Sequence, residues 1–252
     1  MALCDLHFFS QTLGKHVGAY VFVPDDFAPP FATLYLLHGL SDDDTTWLRR
    51  TSIERYVAPL GLAVVMPQVH RSFYADEPSG GRYWTFLSEE LPEIVATFFR
   101  LSDRRDDTFV AGLSMGGYGA LKWALRHPER FAAAASLSGA VDVERLRAIR
   151  VRTEDPRLFD RVFGDQRVAG TADDLWWLLE HTDPATLPAL WVGCGTRDPL
   201  YSSNENFVAA CTTGGIPVTT SFVPGEHDWG LWDQHIEQVL AWLPLDAASL
   251  PR

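Results

Sequence analysis

Residues 112–116, Gly112-Leu113-Ser114-Met115-Gly116, set one serine between two glycines. The apolar run "DTFVAGL" (107–113) leads into it and a helix-like pattern follows. A sharp strand-to-helix turn would bring a Cβ two residues either side of the serine into collision, which explains the glycines. The same turn lifts the hydroxyl above the sheet, and the following helix aims unpaired N–H groups and a positive dipole at it. A structural turn with an incidental serine would leave the same glycines. The strand before and the helix after favour a nucleophile.

A serine hydroxyl needs an adjacent base. His16 lies in an early strand-like run, His127 at a helix end, and His181 and His235 in helical segments. His227, in "VPGEHDWGLW", follows the last strand-like run and comes last in the chain, as the order Ser…Asp…His requires. The acid that orients it is sought between them, and Asp142, Asp183 and Asp198 are the candidates. Asp198, in "VGCGTRDPLY", stands just past a strand end; Asp183 reads as a cap, and Asp142 follows the strand after the elbow. An ester carbonyl attacked by Ser114 would also need donors for its oxyanion. Those are the backbone N–H of Met115 and, from "LLHGLSDDDTTW", that of Leu40. The acidic "SDDD" reads as a helix cap, so no metal is expected.

The elements that must hold these groups alternate. Strand-like runs occur at 16–24, 32–39, 62–67, 107–113, 130–139, 188–195 and 217–225. Helical spacing falls between them: Ile53, Tyr56, Val57 and Leu60; Leu91, Ile94, Val95 and Phe98; Leu121, Ala124 and Leu125; Ile236, Val239, Leu240 and Leu243. This rhythm implies an α/β fold with a largely parallel sheet covered on both faces, and a site at the C-terminal strand ends. Residues 140–187 interrupt it and read as a small helical insertion over the sheet edge. The expectation is one domain spanning 1–252.

Composition narrows the function. The 252 residues carry a net charge of −12, without a basic cluster fit for nucleic acid. The short run "RLRAIRVR" (145–152) reads as a solvated helix face. The N-terminus lacks the pattern of a signal peptide, and no apolar run is long enough for a membrane span. Cys4, Cys194 and Cys211 are an odd number without metal spacing, so a reduced, cytoplasmic protein is expected. Cys194 lies near Asp198 and could line the site, though a buried structural thiol is the better reading.

Several segments together resemble the tributyrin-esterase branch of the S-formylglutathione hydrolase (esterase D) group. They are "YLLHGLSDDDTTWLRRTSIER", "VVMPQVHRSFYAD", "YWTFLSEELPEIVATFF", "FVAGLSMGGYGALKWALRHPERFAAAASLSGAVD", "GTRDPLYSSNENF" and "GEHDWGLWDQHI". The resemblance runs over about residues 5–243, poorly through 145–185. It implies an α/β-hydrolase fold and a cofactor-free serine carboxylesterase for short acyl chains. It puts the nucleophile on Ser114, the acid on Asp198, the base on His227 and the oxyanion donors on Leu40 and Met115. Relatives of this kind often form dimers or tetramers, so a homo-oligomer is an open expectation. More distant similarity reaches the mycolyltransferases.

The substrate would be a small ester. Trp47, Trp84, Trp176, Trp177, Trp229 and Trp232 fall in loops or the insertion near the expected site. Some could wall a short acyl pocket, with core packing as the competing role for at least half of them. A thioester such as S-formylglutathione would suit the same residues, as would an acyl transfer in which an alcohol replaces water. A non-catalytic binding protein of this fold is disfavoured by the intact set of Ser114, Asp198, His227 and the oxyanion loop.

Overall fold

The computed structural model describes residues 1–148 and 155–245. Eight strands form one sheet: β1 (Ala2–Ser10), β2 (Lys15–Val23), β3 (Ala32–Leu37), β4 (Leu62–Pro67), β5 (Thr108–Leu113), β6 (Ala133–Leu137), β7 (Ala189–Gly195) and β8 (Val218–Val223). Their order is β1-β2-β4-β3-β5-β6-β7-β8. The β1–β2 and β2–β4 pairs are antiparallel and every later pair is parallel.

The central strands β3, β4 and β6 are buried at every position because both faces of the sheet are covered. Val110, Tyr35 and Val65 point to one core, while Phe109, Ala111, Leu34, Leu36, Val64 and Met66 point to the other. Helices follow in chain order: α1 (Thr46–Arg50), α2 (Ile53–Val57), α3 (Tyr83–Thr85), α4 (Leu91–Phe98), α5 (Met115–Arg126), α6 (Val143–Ala148), α7 (Leu158–Phe163), α8 (Leu175–His181), α9 (Tyr201–Thr213) and α10 (Trp229–Trp242). Leu91 and Val95 of α4, Leu121 and Leu125 of α5, and Phe207 of α9 fill the first core. Ile53 and Val57 of α2, with Ile236, Val239 and Leu240 of α10, fill the second.

Two elements escape a reading of apolar pattern. Strand β1 pairs with β2 along its whole length, but at the sheet edge it is mostly exposed or half-exposed, with Asp5 and His7 in its middle. Helix α9 buries only Ser203, Asn204, Phe207 and Cys211. Cys194 and Cys211 are buried free thiols. Cys194 lies within β7, and burial together with the Asp198 charge pushes its thiol up to about 12.

Between 140 and 187 the described residues carry α6, α7 and α8. Helix α8 packs on α5 and α9. Lys122 of α5, with no exposed surface, fastens it there. Its Nζ donates to Asp173 Oδ1 (2.6 Å) and to the Tyr74 carbonyl (2.6 Å), and lies 4.5 Å from the Trp84 ring centre. Tyr118 Oη adds a bond to the Asp173 carbonyl (2.7 Å). Burial alone would raise the Asp173 carboxyl; the Lys122 ammonium overrides it and holds the group below its ordinary value. Of the basic run 145–152, residues 149–152 lie outside the described residues. Arg145 donates to Ser202 Oγ (3.1 Å) and Arg147 to the Gly164 carbonyl (2.6 Å), so these two serve the insertion's own contacts. Among the described residues no helix is long and apolar enough to cross a membrane.

Two tests follow from the buried charges. Asp173→Asn strands the Lys122 ammonium, so it destabilises by about 3–5 kcal/mol. Adding Lys122→Met restores part of that in urea unfolding; strictly additive losses would mean the pair is not coupled. The second test uses His38 and His235, both buried and both held down to about 4 by burial. Between the free value near 6.5 and about 4 the unfolded chain binds protons that the native chain refuses. Stability contributed by each is therefore complete above about pH 6.5 and is lost as pH falls toward 4, by up to about 1.4 kcal/mol per pH unit per group. Urea unfolding across that window shows the decline; a flat profile would contradict the burial of two neutral imidazoles.

Candidate active site

Strand β5 ends at Leu113 and α5 begins at Met115, so Ser114 alone makes the turn. Its backbone sits at φ 53°, ψ −116°, a strained conformation for a residue with a side chain. The strain is held by its neighbours: Ser114 N–H donates to the Leu137 carbonyl (2.9 Å), and its own carbonyl accepts from Tyr118 (3.1 Å) and Ala140 (2.9 Å). A Cβ on Gly112 would stand 2.4 Å from the Gly116 carbonyl carbon and oxygen, and one on Gly116 would stand 2.3 Å from the Leu37 carbonyl oxygen. Both glycines are required by close backbone approach.

His227 and Asp198 come to this serine from two tied loops. Arg197 N–H donates to the Gly225 carbonyl (3.0 Å) and Thr196 N–H to that of Val223 (2.9 Å). These bonds clip the turn after β7 to the one after β8. Asp198 Oδ1 accepts from Leu200 N–H (2.8 Å), which leaves Oδ2 for His227 Nδ1 (2.8 Å). On the far side of the ring, Nε2 stands 3.0 Å from Ser114 Oγ. With Nδ1–H given to the carboxylate, Nε2 is free to accept the serine proton. The Asp198 side chain is fully buried and that of His227 is 30% exposed. Burial pushes the Asp198 carboxyl up, but the hydrogen bond and charge of His227 and the Leu200 N–H outweigh it, so the group lies below its ordinary value. Trp232 sets its ring edge-on to His227, 4.8 Å between centres.

The loop after β3 closes the other side. The His38 ring is clamped between the Gly39 carbonyl (Nδ1, 2.7 Å) and Val69 N–H (Nε2, 3.2 Å). Tyr74 Oη donates to the His38 carbonyl (2.8 Å), and Asp42 Oδ2 accepts Gly39 N–H (3.2 Å). Leu40 is thereby held beside Ser114 in one pocket with Met115. Met115 opens α5, so its N–H is among the donors a helix leaves unpaired. Asp43 of the acidic run takes Thr45 N–H (3.0 Å) and the Thr45 and Thr46 hydroxyls. Burial opposes its charge, but those bonds and Arg49 hold it at about 2. Tyr74 and the His38 ring have no signal in the sequence pattern, because each acts through a contact with a distant or turned backbone; Asp42, read with its acidic run as a helix cap, instead takes the Gly39 N–H.

The pocket over Ser114 has a volume of about 1080 Å³. Phe73, Leu146, Phe159, Leu200, Trp229 and Trp232 give it apolar walls, two of them from the insertion. Of the tryptophans considered from sequence, Trp229 and Trp232 reach it. Trp47 is fully buried in the second core, donating to the Leu37 carbonyl (3.1 Å) and packing edge-on against Trp229. Trp84 lies under Lys122 and Arg126. Trp176 packs on Phe207 and Trp177 stacks on His181. These four are packing residues. Among the described residues no group of acids, histidines and cysteines is arranged to hold a metal.

Known proteins share this arrangement of elements. The fluorophosphonate-binding serine hydrolase F (FphF) of Staphylococcus aureus, solved with substrate bound, superposes with a TM-score of 0.92 at 36% identity, covering 97% of this chain and 99% of its own. The S-formylglutathione hydrolase FrmB of the same organism superposes at 0.86, also at 36% identity, over 96% and 98% of the two chains. An acetyl esterase of Caldicellulosiruptor saccharolyticus is 28% identical over 261 residues, 96% of this chain and 98% of that protein. Residues 10–243 match the Esterase family, described as "Putative esterase". The chain belongs to that family, within the α/β-hydrolase superfamily, and is a carboxylic ester hydrolase.

Proposed function

We propose that the protein is a serine carboxylesterase that hydrolyses short-chain acyl esters through an acyl-enzyme on Ser114. The observation that carries this is the unbroken line from Asp198 Oδ2 through His227 to Ser114 Oγ, at 2.8 and 3.0 Å. Ser114 Oγ attacks the ester carbonyl as His227 Nε2 takes its proton. Asp198 steadies the imidazolium that results. The oxyanion is received by the N–H groups of Leu40 and Met115. His227 then protonates the departing alcohol, activates a water, and returns the proton to Ser114 as the acid leaves. No cofactor enters this scheme. The acetyl esterase among the relatives supports a short acyl group.

A thioester substrate is the second reading, supported by the likeness to an S-formylglutathione hydrolase. The same attack serves, because a thiolate is a better leaving group than an alkoxide.

Ser114→Ala is expected to lower kcat on p-nitrophenyl acetate by at least about 10³-fold, and Asp198→Asn by a similar factor through loss of the correct histidine tautomer. Wild-type turnover by the Ser114 variant would reject the nucleophile. A fluorophosphonate probe should add one adduct, mapped by mass spectrometry to Ser114. Across p-nitrophenyl esters from acetate to decanoate, kcat/KM should peak at acetate to butyrate; a flat series would reject a short-acyl enzyme. S-formylglutathione turnover, compared with the acetate, decides between ester and thioester.

A further inference from the structure

Two arginines line the pocket beside the reacting groups, Arg71 from the loop after β4 and Arg50 from the end of α1. Arg71 is half-buried, and its Nε is shut off from solvent with no hydrogen-bond partner among the described residues. A guanidinium carries five donors and no acceptor, and a shielded donor without a partner is costly. Such a group in a native structure calls for an explanation, and a bound anion is the one that fits a planar, forked cation. Arg50 makes no ion pair among the described residues either, though its charge reaches the Asp42 carboxyl.

The acids nearby are partly engaged elsewhere. Asp42 Oδ2 takes the Gly39 N–H (3.2 Å), and Asp228 Oδ1 caps α10 through Leu231 N–H (3.1 Å). Asp155 feels the charge of Arg71, yet its Oδ2 is bonded to Arg161 at 2.5 Å and its Oδ1 to Arg157 N–H at 3.0 Å. In a chain of net charge −12, two guanidiniums that make no ion pair among the described residues face the cavity that holds Ser114, with Asp42 and Asp228 in the same lining.

We infer that Arg71, with Arg50 in support, binds an anionic group of the substrate, so that the enzyme's esters carry a carboxylate or an equivalent anion besides the scissile bond. This rests on the ester-hydrolase reading above and narrows it. The apolar walls of Phe73 and Phe159 next to Arg71 suit the spacer between that anion and the ester. Neutral p-nitrophenyl esters would then be serviceable but incomplete substrates.

Matched pairs test the idea. In the first pair, 4-carboxyphenyl acetate is compared with its neutral methyl ester, so the anion lies on the leaving group. In the second, monoethyl succinate is compared with diethyl succinate, so it lies on the acyl side. Preference for the anionic member, by about tenfold in kcat/KM in one pair, is expected and tells which side of the bond faces Arg71. Arg71→Gln should erase most of that ratio through KM for the anionic member, and Arg50→Gln should erase less. On the unaltered enzyme the preference should shrink as salt is raised, a readout that does not depend on a variant folding. Hydrolysis of all four esters without preference, or a ratio untouched by Arg71→Gln, overturns the inference and leaves the esterase reading standing. Failure to cleave any ester overturns both.

Discussion

The backbone of α5 runs so close to the end of β3 that Gly116 has no room for a side chain. A Cβ there would meet the carbonyl oxygens of both Leu37 and His38, at 2.3 and 2.7 Å. That approach fixes the distance between the elbow bearing Ser114 and the loop bearing Leu40. Two backbone donors from separate elements can converge on one oxyanion only if those elements touch. The parallel pairing of β3 with β5, from Thr33 opposite Thr108 to Leu37 opposite Gly112, brings both turns to the same sheet end. The proposed nucleophile and the proposed oxyanion loop are thus products of one contact.

The contact is supported by charge and by hydrogen bonds. Ser114 keeps a backbone angle that would cost roughly 1–3 kcal/mol in isolation. Its N–H and carbonyl are both bonded into β6 and α5, which over-determines the turn. The His38 carbonyl, against which Gly116 packs, accepts from Tyr74 Oη, and the Tyr74 carbonyl accepts from Lys122 Nζ. Lys122 in turn binds Asp173. A continuous chain of bonds therefore joins the insertion to the loop after β3 through a fully buried cation.

The residues proposed for chemistry were legible because each is an unusual residue type at a strand end. Ser114 needs its glycines, His227 and Asp198 need their order, and the strands before Ser114 and Asp198 are buried apolar runs that only a two-faced sheet explains. Those signals are local. The Lys122–Tyr74 and Lys122–Asp173 bonds join residues 48 and 51 positions apart, and nothing in either neighbourhood advertises the other. Likewise a tryptophan near a strand end in sequence can turn to either side of the backbone. Trp229 reaches the pocket, while Trp47, packed edge-on against it, belongs to the core. Strand β1 and helix α9 were illegible for a third reason: edge and surface elements bury too little for their period to show.

This difference in legibility follows the division of labour in the molecule. The groups proposed for bond-breaking sit on turns of the sheet, whose geometry is set by strand pairing and is indifferent to the substrate. The groups proposed to select a substrate come from outside it: Arg71 and Phe73 from the loop after β4, Leu146 and Phe159 from the insertion. Those segments are bound together by Phe73 packing on Phe159 and Phe163, at 5.3 and 6.1 Å between ring centres. Their side chains can change without altering the strand pairing that sets β5, so selectivity can change while the reaction stays the same. Among the described residues several links cross that boundary: the Lys122 network, Thr182 Oγ1 donating to the Leu125 carbonyl (3.3 Å), and Phe73 packing on Tyr118 of α5 at 6.1 Å between ring centres. They seat α8 and the loop after β4 against α5, the helix that Ser114 opens.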